Sequence, residues 1–238
     1  RIERGELKVK KRYGRVVNFD ISEIEKAIRN CCQGYENEVD SVGIIHDTKF
    51  GIYDGISTKD INKAVVMALK ARIERDPVYS FLAARFLIND LYKDVLGVDE
   101  FDGEFETTYR EKFEEKMRTG VEGGRLDPRI LEFDFKKISQ ALKPERDHLF
   151  LYLGVQTLYD RYFLKTHAQD YLEVPQYFWM RVAMGLALGE EEKEARAIEF
   201  YHVISSLLYV PSTPTLLHSG THSPQMSSCY LTTVEDDL

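Results

Sequence analysis

Residues 210–231, VPSTPTLLHSGTHSPQMSSCYL, concentrate the side chains in this chain that can do chemistry. They hold three prolines, nine hydroxyls counting Tyr230, and a single cysteine, Cys229. A hydroxyl both donates and accepts, which suits a phosphate or a sugar. A thiol adds redox and nucleophilic capacity. Pro211 removes a donor and is expected to end the preceding helix. Thr213 stands before Pro214, which favours an extended backbone there. Residues 226–233 read as a strand by their β-branched and aromatic content. Regular alternation would put Ser228 and Cys229 on opposite faces, so a shared site needs a bend or a main-chain contribution. On residue types alone, a Ser/Thr-rich loop bonded to its own backbone explains the stretch equally well.

The segments before it must position it, and they are mostly helical in pattern. Residues 7–11 and 16–18 bracket Arg12-Tyr13-Gly14-Arg15 as a hairpin. Ser22 and Glu25 have capping-box spacing, followed by Ile24, Ala27, Ile28 and Cys31 at helical intervals. A polar, glycine-containing loop then leads to a turn at Tyr53-Asp54-Gly55. Ser57 opens a second helix through Ile61, Ala64, Val65, Ala68 and Leu69. Asp76-Pro77 opens a third, with Tyr79, Leu82, Ala83, Phe86, Leu87 and Leu91 on one stripe ending near Gly97. Phe105, Tyr109 and Phe113 mark an amphipathic helix over 104–119. Gly120–Gly124 reads as a flexible turn, since no GK[ST] follows to make a phosphate loop. Asp127-Pro128 begins another helix, and residues 143–147 form a charged linker. Residues 149–164 carry one apolar stripe. Residues 174–188 are apolar nearly all round, as a buried helix should be. Residues 190–210 begin acidic, which suits the helix dipole.

Composition narrows the classes. Of 238 residues, 43% are apolar and 30% charged, an ordinary globular balance. The net charge of −8 argues against general nucleic-acid or anionic-membrane binding. No apolar run is long enough to span a membrane, and no signal-peptide pattern appears. Three cysteines make no disulfide framework, and Cys31 and Cys32 lie in a helical pattern that predicts core packing. His218, His222 and Cys229 lack a fourth ligand and the spacing of a zinc site, so no metal is expected in this chain.

At PSTPTLLHSGT and QMSSCYL the chain resembles the large, catalytic subunit of ribonucleotide reductase, in particular the class I form that works with a separate radical-generating subunit. The resemblance implies that Thr213 contacts substrate phosphate and that Ser228 lines the substrate pocket. It implies that Cys229 belongs to a redox pair that reduces the ribose and becomes a disulfide. The opening VKKRYGRVVNFDISEIEKAI resembles the ATP-cone, a regulatory module that binds ATP or dATP. That likeness implies effector contacts at Lys11 and Arg12, at Asp20, at Thr58, Ile61 and Asn62, and at Lys93. Where cones carry a lysine before the first helix's Ile, this chain has Glu23, whose charge repels phosphate. Asp236 matches an aspartate that touches the deoxyribose of a specificity effector.

The fold class so implied is mainly α. An ATP-cone helical bundle with a small β-hairpin covers 1–97, a helical layer covers 98–210, and 211–238 lead into the first strand of a ten-stranded α/β barrel. The implied reaction is reduction of ribonucleotides by thiyl-radical chemistry. The implied partners are the remaining catalytic part of the large subunit, a small subunit carrying the radical cofactor, and a thioredoxin- or glutaredoxin-type reductant. Nucleotide substrates and effectors join these, with a homo-oligomer of the assembled large subunit, and neither DNA, RNA nor membrane. A cytoplasmic setting is expected, with no turnover by this chain alone, whether it is a split subunit or a truncated one. Two alternatives stay open at this point: an inactive regulatory nucleotide-binding module, and part of a cobalamin-dependent reductase.

Overall fold

Alternating burial sets the first elements. In the computed structural model, which describes residues 7–234, Val9 is buried while Lys8 and Lys10 face outward on strand β1 (Lys8–Lys10). β1 pairs antiparallel with β2 (Val16–Asn18), Val9 opposite Val17, as the hairpin pattern predicts. Gly14 closes the turn at φ +85°, a left-handed conformation that glycine adopts without a Cβ clash. Helices α1 (Ile21–Cys31) and α2 (Ser41–Phe50) follow, then a third strand, β3 (Ile56–Ser57), parallel to β1. α3 (Thr58–Lys70) and α4 (Val78–Val95) complete this region. Next come α5 (Phe105–Glu122), α6 (Phe135–Ala141), α7 (Tyr152–Arg161), α8 (Pro175–Ala187), α9 (Lys193–Ser205) and α10 (Thr213–His218). The described chain is mainly helical, with one small sheet in the order β2-β1-β3.

The chain divides into two compact units. The first takes residues up to Phe105 together with 147–160. Its core gathers Val9, Ile28, Ile44, Ile56, Val65, Leu82 and Phe86. Cys31 and Cys32 are buried in that core as free thiols. Burial pushes the Cys32 thiol up to about 11 and the Cys31 thiol higher still, so both stay protonated. Tyr92 on α4 donates to the fully buried Asp147 at 2.5 Å.

Several local expectations need correction here. Helix α1 is capped by Asp20, which accepts from Ser22 N, so the Ser22–Glu25 box does not form. A carboxylate two residues earlier offers both the cap bond and favourable charge at the N-terminus. Glu25 instead pairs with Arg29. α2 replaces part of the expected loop. Asp40 caps it, and Ile44, Ile45 and Thr48 are buried, while Val42 and Phe50 face outward and blur the periodicity. Ser57 caps α3 as expected. α4 starts one residue after Pro77, with Asp76 accepting from Val78 N.

The second unit comprises residues 106–146 and those from Arg161 onward. Tyr109, Phe113 and Met117 of α5 are buried, with Tyr109 and Phe113 packed edge-on against Tyr177 of α8. α5 runs through Gly120 instead of turning there. A side chain at that position would press into Leu126, so the glycine serves close packing. Asp127 and Pro128 start a 3-10 turn, and a second one spans Pro144–Leu149 in place of the linker. α8 is buried on nearly every face, as its composition predicts. α9 ends at Ser205, five residues before the expected stop, and Leu207 adopts φ +61° just after it. Pro211 is therefore not the terminator. Thr213 begins a helix instead of an extended piece, with Ser212 supplying the extended cap and Pro214 in the first turn. Residues 226–233 form no strand, because no neighbouring strand pairs with them among the described residues.

Candidate functional site

In the first unit, β1's turn, the start of α1, α3 and the end of α4 surround a cleft of about 590 Å3. Lys11, Arg12, Asp20, Thr58, Ile61, Asn62 and Lys93 all line it. These seven residues span more than eighty positions of sequence, and the fold brings every one of them to the same cavity. Ile61 supplies a buried apolar wall beside the Thr58 and Asn62 side chains one helical turn apart.

Lys11, Arg12 and Lys93 are already partnered. Lys11 pairs with Glu23 at 2.5 Å, and Lys93 with Asp99 at 3.5 Å. Arg12 bonds both Asp90 and Asp94 of α4 and is only 14% exposed. Burial would lower the Arg12 pKa, but the two aspartates outweigh it and hold the guanidinium above its ordinary value. Asn62 donates to the same Asp90 at 2.5 Å, and Lys59 pairs with Asp94 at 3.0 Å. Arg12 is thus the clamp that fastens the β1 turn to α4, while Lys11 and Lys93 sit nearer the solvent. The Asp20 pKa is lowered by its bonds from Ser22 and, less, by Lys11, so this carboxylate stays charged at the cleft rim.

Sequence reasoning passed over other lining residues. Lys26 lies one turn along α1 from Glu23 and has no ion-pair partner among the described residues. Its helical spacing from Glu23 was the available signal. Asn30, Asn89, Phe101 and Asp102 also line the cavity. The last two come from the loop after Gly97, which the periodicity of α4 gives no reason to fold back.

In the second unit, Thr213 stands at the first residue of α10. Its hydroxyl lies 3.0 Å from the Tyr162 hydroxyl. Thr215 donates to Met226 O at 3.3 Å, which returns the following segment towards α10. Ser228 and Cys229 are both exposed, with Ser228 Oγ 3.8 Å from Cys229 Sγ. No hydrogen bond joins Thr213 to Ser228 or Cys229 among the described residues. Asp236 lies outside the described residues. Residues 216–221 are fixed more firmly. Arg181 and Glu173, both with fully buried side chains, form an ion pair at 2.8 Å, and Arg181 Nη1 donates to Leu216 O and Ser219 O.

Two family models match separate stretches of the chain. Residues 7–94 match the family model described as ATP cone domain. Residues 148–224 match the one described as ribonucleotide reductase, all-alpha domain. The ribonucleoside-diphosphate reductase subunit alpha of Chlamydia pneumoniae is 41% identical over 218 residues, covering 91% of this chain and 21% of that protein. The subunit alpha of Helicobacter pylori (strain ATCC 700392 / 26695) is 35% identical over 234 residues, covering 98% of this chain and 28% of its own length. The large chain of Schizosaccharomyces pombe is 29% identical over 234 residues, with 96% and 28% covered. The chain therefore spans from about a fifth to somewhat over a quarter of the length of these curated relatives.

Proposed function

We propose that this chain is an amino-terminal portion of a ribonucleotide reductase large subunit, as its two family-model matches and its relatives support, and that it senses nucleotide in one unit and contributes substrate contacts in the other. Residues 1–97 act as the regulatory cone, 98–210 as the helical layer, and 211–238 as the first substrate loop and the entry to the barrel. The single observation that supports the reading is the cleft: the seven residues that the ATP-cone resemblance implies meet in one cavity, which offers cations, a hydroxyl and an apolar wall. The effectors are ATP and dATP. Lys11, Lys93 and Lys26 face the phosphates, Ile61 the base, and Asp20, Thr58 and Asn62 the polar groups between. Asp236 contacts a specificity effector.

In the assembled large subunit, Thr213 donates to the substrate diphosphate and Ser228 lines the pocket. Cys229 and a second thiol supply two electrons. The ribose 2′ hydroxyl leaves as water, hydrogen replaces it, and the two thiols become a disulfide that an external dithiol of the thioredoxin or glutaredoxin type reduces. Exposure of Cys229 suits exchange with such a partner. The class I form is favoured, with a separate small subunit providing the radical. The test is turnover of a ribonucleoside diphosphate by the completed large subunit with that small subunit. Turnover is expected to respond to ATP and dATP and to vanish in Cys229→Ser. Full activity of Cys229→Ser with a dithiol reductant contradicts the reading.

A further inference from the structure

A buried guanidinium in a helix core is costly unless every charge and donor is satisfied. Each of the three nitrogens of the Arg181 guanidinium has a partner. Nε and Nη2 bond the Glu173 carboxylate at 2.8 and 3.3 Å, while Nη1 donates to Leu216 O at 3.0 Å and Ser219 O at 2.8 Å. Leu216 lies in the last turn of α10 and Ser219 is its cap, so both carbonyls belong to the helix end that lacks intrahelical donors. A lysine has no planar fork to satisfy a carboxylate and two carbonyls together.

The same face of α8 holds α10 by contact. Ser219 Oγ donates to Val182 O at 2.7 Å. A Cβ at Gly185 would lie 2.0 Å from Gly220 N and 2.4 Å from Ser219 Oγ. Gly220 has φ +72°, and a Cβ there would meet Arg181 O at 2.9 Å. At the other end of this short helix, Thr213 meets Tyr162, whose ring stands edge-on to Phe178 at 6.3 Å. The Arg181 guanidinium lies over that same Phe178 ring, 5.1 Å from its centroid.

We propose that Arg181, with Glu173 as its counter-charge and Gly185 as its contact partner, is a positioning residue that sets where the Thr213 hydroxyl stands relative to the substrate phosphate. The inference rests on the reading of Thr213 as a phosphate contact. Six residues of helix separate neither end by more than two turns, so fixing the carbonyls of Leu216 and Ser219 fixes the start of α10 as well. Arg181 itself touches no substrate.

A double-mutant cycle in the completed large subunit with its small subunit tests this, using a ribonucleoside diphosphate as substrate. Thr213→Val removes the hydroxyl. Gly185→Ala keeps the Arg181 and Thr213 side chains but forces α10, and Thr213 with it, off α8. Each single variant is expected to raise KM roughly tenfold or more, with kcat changed less. The double variant is expected to be no worse than Thr213→Val alone, because the displaced loop has already lost the contact. If Gly185→Ala does not fold, Ser219→Ala, which drops only the bond to Val182 O, takes its place in the cycle. Effects that multiply, or a KM unchanged in the α10-displacing variant while Thr213→Val raises it, overturn the positioning role alone. A KM unchanged in Thr213→Val overturns the phosphate reading beneath it.

Discussion

The cleft around Lys11 and the segment around Thr213 solve the placement of polar groups in opposite ways. In the cleft, the cations nearest solvent are held by carboxylates at the rim, Lys11 by Glu23 and Lys93 by Asp99, with half-exposed side chains. Such pairs contribute little to stability and exchange readily for a more highly charged ligand. Around α10, the holding pair is Arg181–Glu173, wholly removed from water. It fixes a backbone and offers nothing to exchange. Under the proposed function, a nucleotide-sensing cleft gains from partners that yield, whereas a substrate loop gains from partners that do not.

The largest expected effect separates these two kinds of ion pair. Arg181→Met leaves Glu173 buried without its counter-charge and should cost the second unit about 3–5 kcal/mol. Arg12→Met, at the partly exposed clamp onto Asp90 and Asp94, should cost the first unit less, about 1–2 kcal/mol. Amide hydrogen exchange read separately in α8 and α4 measures both. Equal losses would break the contrast between yielding and unyielding pairs.

A smaller effect concerns nucleotide affinity. Glu23→Lys removes the partner that holds Lys11 and adds a cation, so ATP should bind several-fold tighter, on the order of 1 kcal/mol. Lys26→Ala, which removes the lining cation without an ion pair, should weaken ATP by a similar factor. Both differences should shrink as salt is raised, since these side chains lie at the surface. An affinity unmoved by either change would place the phosphates elsewhere.

The smallest effect is a pH dependence in the second unit. Burial, with Arg146 and Lys143 adding to it, lowers the His202 pKa below its ordinary 6.5. The folded state therefore binds this proton more weakly than the unfolded one. Its contribution to stability is complete above 6.5 and declines as the pH falls through the depressed value. His202→Gln should flatten that decline in thermal unfolding, and an identical pH profile would remove the histidine as its cause.

The lining residues of the cleft were legible through the resemblance to the ATP-cone, since periodicity alone gives only the hairpin and the helices that carry them. Their carboxylate partners were not. Asp90 and Asp94 lie about eighty residues from Arg12, and helical periodicity says which face they occupy but not what crosses it. α2 was hidden because Val42 and Phe50 put apolar side chains on its outer face. Around Thr213 the residue types were readable but the conformation was not. Pro214 fits a first helical turn as well as an extended loop, and tertiary anchoring by Arg181 decides for the helix. The expected strand over 226–233 had the right composition, yet strand composition describes a surface that fits a sheet and does not supply the neighbouring strand.

The claim at the centre is that the Lys11 cleft takes an adenine nucleotide, and calorimetric titration of ATP and dATP into the 238-residue chain tests it most directly. Saturable binding is predicted, weakening as salt rises and disappearing when Lys11 and Lys93 are both replaced by alanine. No heat from either nucleotide at millimolar concentration, or binding indifferent to the loss of both lysines, would contradict it.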